Sequence, residues 1–129
     1  MKRNAILILA MVLTVGVGLA LAGESGGAKT VEGTLVDTGC YFKNAQLTGN
    51  DHGSMPGCGT ACAKGGNPVG ILTKEGKHFP LVIASPLVAD HVGHTVRATG
   101  SVVQGSFVPS KLEVKKGEKW EAVKLPGMM

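Results

Sequence analysis

The sequence predicts a mainly β domain: a small five- to six-stranded barrel of the OB type with one or two short helices, preceded by a signal peptide. Three observations carry that expectation. Apolar and polar residues alternate in several short stretches after residue 29, the period-two signature of half-buried strands. Glycine is abundant, at 20 residues, against three Phe, one Tyr and one Trp, a composition that suits short strands and tight turns better than packed helices. The first 22 residues follow a separate pattern, that of an export signal.

That signal has three parts. Lys2 and Arg3 supply a positive start, Ala5 to Val15 an uncharged apolar run, and Ala20-Leu21-Ala22 a small-x-small exit, which together specify a cleavable secretory peptide. A retained anchor fits less well, because Gly16 and Gly18 weaken the helix and no basic stop-transfer cluster follows. No Cys lies beside the cleavage point, and no later stretch is apolar enough to span a bilayer. The expectation is a periplasmic or secreted protein with no membrane attachment after cleavage. Residues 23–29 then read as a flexible linker and residues 30–125 as one barrel domain.

Without Lys2 and Arg3, 11 basic residues face 9 acidic ones, too small an excess to imply a polyanion partner. Few aromatics and near-balanced charge also argue against the stacking groove of a single-strand-binding barrel, so no nucleic-acid partner is expected.

Thr30 to Asp37 alternates as the first strand, with Val31, Gly33 and Leu35 on one face. Residues 38–66 then break the pattern as a long loop, in which only Pro56 to Lys64 reads as a short helix, with Pro at its entrance and Gly65-Gly66 stopping it. Pro68 to Thr73 and Lys77 to Ala84 read as strands joined by a turn at Lys74 to Lys77, and Pro80 assigns the second to an edge or bulge. Ser85 to Val92 reads as a short helix, Ser85 its N-cap and Pro86 its first residue. His94 to Val103 alternates with Val96, Ala98, Gly100 and Val102 inward, and Val108 to Val114 with Val108, Leu112 and Val114 inward. Lys116-Gly117-Glu118 turns into a weaker last strand, Trp120 to Leu125. A short helix between the third and fourth strands is the plan of an OB barrel; a β-sandwich is the runner-up.

The chemistry concentrates in the loop. It contains all three cysteines, Cys40, Cys58 and Cys62, with His52 between the first two. On a helix, Cys58 and Cys62 share one face as an i, i+4 pair, while Cys40 follows the first strand. Three sulfurs and an imidazole are the donor set of a tetrahedral zinc site, and thiolates also favour Cu(I). Met55 is a further soft donor for copper. Metal therefore leads as cofactor, copper or zinc, with Cys40, Cys58, Cys62 and His52 as ligands. A disulfide from Cys40 to Cys58 or Cys62 would instead pin the loop in an oxidising compartment, leaving one odd thiol and an interaction module with an unknown protein partner. A redox dithiol between Cys58 and Cys62 is the third reading, and the one enzymatic activity considered. A Cys40–His52 nucleophile lacks any identifiable oxyanion hole.

The runs Val36-Asp-Thr-Gly-Cys-Tyr-Phe-Lys-Asn44 and Cys58-Gly-Thr-Ala-Cys-Ala-Lys-Gly-Gly-Asn-Pro-Val-Gly-Ile-Leu72, with Gly93-His-Thr-Val-Arg-Ala-Thr-Gly-Ser-Val102, resemble small exported bacterial proteins of uncharacterised activity. Those share a strand ending in Asp-x-x-Cys, a Cys-x-x-x-Cys-x-x-x-Gly segment and a closing Gly-x-x-Val-x-x-x-Gly-x-Val. The resemblance covers most of residues 30–116 and implies the OB-like fold and the grouping of the cysteines, but no activity. The Cys-x-x-x-Cys spacing also occurs in copper-delivery proteins of the thioredoxin-like class and in the dinuclear copper domain of cytochrome oxidase. Their folds are absent here, and only the ligand logic carries over.

Other candidates are weaker. His91 and His94 are separated by the helix-ending Gly93, His78 reads as a solvated strand residue, and Met128 and Met129 lie at the terminus. Lys115, Lys116 and Lys119 read as a solvated hairpin tip.

Overall fold

A computed structural model describes residues 27–127. The expected signal peptide, most of the linker and the terminal methionines lie outside the described residues. Six strands form one antiparallel sheet: β1 (Lys29–Asp37), β2 (Val69–Leu72), β3 (His78–Pro80), β4 (Thr95–Val103), β5 (Ser106–Lys116) and β6 (Lys119–Ala122). Their spatial order is β3-β2-β1-β4-β5-β6. The chain is thus mainly β, as its alternation predicts, and the strands belong to one sheet rather than to a sandwich of two. No helix among the described residues is long and apolar enough to cross a membrane.

β1 is the pivot. It pairs with β2 from Thr34↔Leu72 to Asp37↔Val69, and with β4 from Lys29↔Gly100 to Thr34↔Thr95. Leu35, Val36, Ile71, Val96, Ala98, Phe107, Leu112 and Val114 are buried along the sheet. Phe79 meets Phe107 edge-on, with ring centroids 6.3 Å apart, a favoured aromatic geometry. Just past β3, Leu81 forms an isolated parallel bridge with Phe107, and the Val82 N–H donates to the Phe107 carbonyl at 2.9 Å.

Several segments depart from the sequence reading, among them β3, expected over Lys77 to Ala84 but only His78–Pro80, and Val102, expected inward but exposed. Ser85 to Val92 is two 3-10 turns, Ser85–Leu87 and Ala89–His91, rather than one helix, and Ala84 rather than Ser85 occupies the N-cap position. Short 3-10 pieces let Val88, Ala89 and Val92 all reach the core. In β5 the inward set is Phe107 and Pro109, then Leu112 and Val114, while Val108 is only half-buried. A bulge causes this: Thr99 pairs with Lys111 but Gly100 with Pro109, so Ser110 is the extra residue and the inward phase slips by one.

The long loop contains two helices where one was expected: α1 (Thr38–Lys43) and α2 (Cys58–Lys64). Between them, His52 and Met55 exchange both backbone hydrogen bonds at 3.1 Å, folding the loop back on itself.

Candidate metal centre

α1 exists because Asp37, the last residue of β1, caps it. The Cys40 N–H donates to Asp37 Oδ1 at 2.9 Å, and the Thr38 N–H donates to the Pro68 carbonyl at 2.9 Å. A side-chain oxygen at the N-cap satisfies a donor that the first turn leaves free. Cys40 is thereby fixed within one turn of the central strand.

α2 is anchored at both ends. Gly57 enters it with φ +68°, a left-handed value suited to glycine, and its N–H donates to Asp51 Oδ1 at 2.7 Å. Asn50 then receives two donors, Gly59 N–H on its carbonyl at 2.9 Å and Thr60 N–H on its Oδ1 at 2.8 Å. At the far end the Asn67 N–H donates to the Cys62 carbonyl at 3.0 Å. Against the 3-10 turns, Thr60 Oγ1 donates to the Ala89 carbonyl at 3.0 Å, and Lys64 pairs with Asp90 at 2.9 Å. Gly59 and Ala63 face the core, and Cys58 and Cys62, one position earlier, lie about 100° round the helix from that face, where they meet Cys40 of α1.

The three sulfurs converge. Cys40, Cys58 and Cys62 offer Sγ atoms that all lie within 4.8 Å of one another, each half-buried, and all three are free thiols. Zinc–sulfur bonds of about 2.3 Å would set tetrahedral sulfurs about 3.8 Å apart. Closing this triangle onto one ion therefore asks for shifts of at most about 1 Å, within the reach of χ rotations. His52 is not a member of this group. It is buried, its Nε2 lies 3.1 Å from the Gly49 carbonyl oxygen, and its Nδ1 has no partner. Met55 is largely exposed on the same hairpin.

The site is electrostatically set against free thiolates. Burial pushes the Cys40 thiol up, helped by Asp37 and Cys58, with a hydrogen bond to Cys62 and then Lys43 opposing. Burial likewise pushes Cys62 up to about 11, reinforced by hydrogen bonding to Cys58 and by the Asp37 carboxylate. Cys40 and Cys62 therefore hold their protons until a cation replaces them.

Asp37 is the residue the sequence reading missed. It is fully buried, and its Oδ2 has no hydrogen-bond partner. The signal was present: Val31, Gly33, Leu35 and Asp37 share one parity along β1, which puts a carboxylate in the inward row. His78 was expected in solvent but is half-buried. It stacks on Tyr41 at 5.4 Å between centroids and hydrogen-bonds to the Thr38 hydroxyl at 3.3 Å, bracing α1. Burial lowers its pKa. His91 and His94 lie apart from the thiols at the end of the second 3-10 turn, their rings 6.4 Å apart edge-to-face.

Comparison with protein-family models, with curated proteins and with solved structures finds no match. The reading of the site rests on its geometry.

Proposed function

We propose that this chain is an exported, non-enzymatic metal-binding protein that holds one soft metal ion, Cu(I) or Zn(II), on Cys40, Cys58 and Cys62. One observation carries the proposal: three free thiols, distant in sequence, within 4.8 Å of one another. Soft thiolates select these ions over hard cations. The role would be sequestration, delivery or bracing of the cysteine loop.

Export through residues 1–22, with periplasmic or secreted location, belongs to the same proposal, supported by the tripartite pattern of the N-terminus. So does an OB-type barrel, supported by the Leu81–Phe107 bridge, which brings the end of β3 onto β5. The resemblance to small exported proteins with a Cys…Cys-x-x-x-Cys loop agrees with both.

A second reading draws on the same proximity: oxidation would join two of the three sulfurs and leave one thiol, stapling the loop of an interaction module. Metal analysis and thiol titration of the protein purified without reductant separate the two. Bound metal at one equivalent, with three thiols recovered after chelation and each Cys→Ser change lowering retention, supports the metal centre. A single titratable thiol and no metal after reconstitution attempts would replace it with the disulfide.

A further inference from the structure

We propose that Asp37 is the fourth ligand of the centre, making it a Cys3Asp site for a divalent, zinc-class cation. The inference rests on the metal reading above and assigns its remaining position. The juxtaposition is specific. Oδ1 is committed to the Cys40 N–H at 2.9 Å, while Oδ2 is buried and without a partner. The same carboxylate acts on Cys62 through both charge and hydrogen-bonding contact, and on Cys40 through charge. It also caps the helix that carries Cys40, within one turn of that sulfur.

A buried carboxylate oxygen without a donor is a costly arrangement, and native proteins resolve it with a hydrogen bond or a cation. The Cys40 and Cys62 thiols are among the groups that feel the Asp37 carboxylate. These can donate weakly while protonated but become anions when a metal binds, so only a cation keeps both the carboxylate and the thiolates stable together. Carboxylate oxygens bind zinc at about the same distance as imidazole does. The oxygen also discriminates. Cu(I) is satisfied by three soft sulfurs, whereas a divalent ion gains from a fourth, harder donor. On binding, three thiols give up their protons to solvent. His52 is the other buried side chain with an unpartnered atom among the described residues. Neither it nor Asp37 belongs to the 4.8 Å sulfur group, but Asp37 is tied to a cysteine through the Cys40 N–H, so a modest closure brings it onto the ion.

The test uses the full mature chain reconstituted with Co(II), Zn(II) or Cu(I). Asp37→Asn retains an oxygen for the Cys40 N–H and replaces the unpartnered one. Zn(II) affinity, measured by competition with a chromophoric chelator, is expected to fall by about tenfold to a hundredfold or more. Cu(I) affinity should stay within about threefold, and the Co(II) ligand-field bands should move while the thiolate charge-transfer bands persist. His52→Ala should leave both metals unaffected. A readout without any variant is the zinc-minus-apo infrared difference spectrum of protein labelled with 13C-aspartate, where one of three aspartates, Asp37, Asp51 and Asp90, should shift. If wild type binds Zn(II) through its thiols but no aspartate band shifts, the inference is overturned, whatever the variant does. Unchanged Zn(II) affinity or an unchanged ligand-field envelope in a folded Asp37→Asn also overturns it. Failure of wild type to bind either metal ends the parent reading instead.

Discussion

Gly59 of α2 sits against Val92, so that a Cβ at position 59 would meet Val92 Cγ1 at 2.6 Å and Asn50 Oδ1 at 3.3 Å. α2 can approach the second 3-10 turn only because residue 59 lacks a side chain. Gly59→Ala should push the helix outward and lower stability by about 1–3 kcal/mol, the usual range for overpacking. Because Cys58 and Cys62 flank this contact, metal affinity should fall with it. Chemical denaturation and chelator competition on the same variant check both effects.

The thiol pKa shifts fix the direction of pH dependence. Cys40 is raised, and Cys62 is raised from 9.0 to about 11. A cation must displace both protons, so conditional affinity should climb about a hundredfold per pH unit through the neutral range for these two thiols alone. Proton release into weakly buffered solution on zinc addition measures the number directly. For the metal-free fold the sign is opposite: a thiol pKa raised by folding favours the native state below 9.0, and that contribution is lost as pH rises towards about 11. Thermal melts of the apo protein at pH 7 and pH 10.5 should show the higher midpoint at pH 7.

Gly70 of β2 carries the His78 ring across its face, where a Cβ would collide with His78 Nε2. Gly70→Ala should therefore displace His78 from Tyr41 and loosen α1. The expected signs are altered Tyr41 chemical shifts and weaker metal retention, with the sheet's amide pattern otherwise preserved.

Much of this was legible in the sequence, and the failures have definite causes. Alternation identified β1 and β4 nearly to the residue, because each has one clearly apolar face. It mis-phased the start of β5 because the bulge at Ser110 depends on pairing with Thr99 and Gly100, a non-local fact. α1 was missed since Thr38-Gly39-Cys40 has weak helix propensity; its stability comes from Asp37 and from Pro68, 30 residues away in the chain. The grouping of the cysteines followed from spacing and strand position. The place of His52 did not, because the hairpin with Met55 turns it towards Gly49.

The Arg97–Glu113–Lys111 cluster gives a test of the sheet independent of the metal. Glu113 takes Arg97 at 2.9 Å and Lys111 at 3.0 Å, and the hydrogen bond from Lys111 and the pair with Arg97 hold its carboxyl below the ordinary value of 4.5. Its contribution is present above about pH 4.5 and is lost as pH falls through the depressed value. Glu113→Gln should thus lower the melting temperature at pH 7 while narrowing the gap between variant and wild type at pH 3.

The position of β1 at the centre of the sheet also orders events as the chain is made. Its partner β4 begins at Thr95, so all three cysteines are synthesised before the strand that completes the pairing of β1. For that interval the sulfurs are not yet held together by the finished sheet. Assembly of the centre therefore waits on the C-terminal part of the polypeptide.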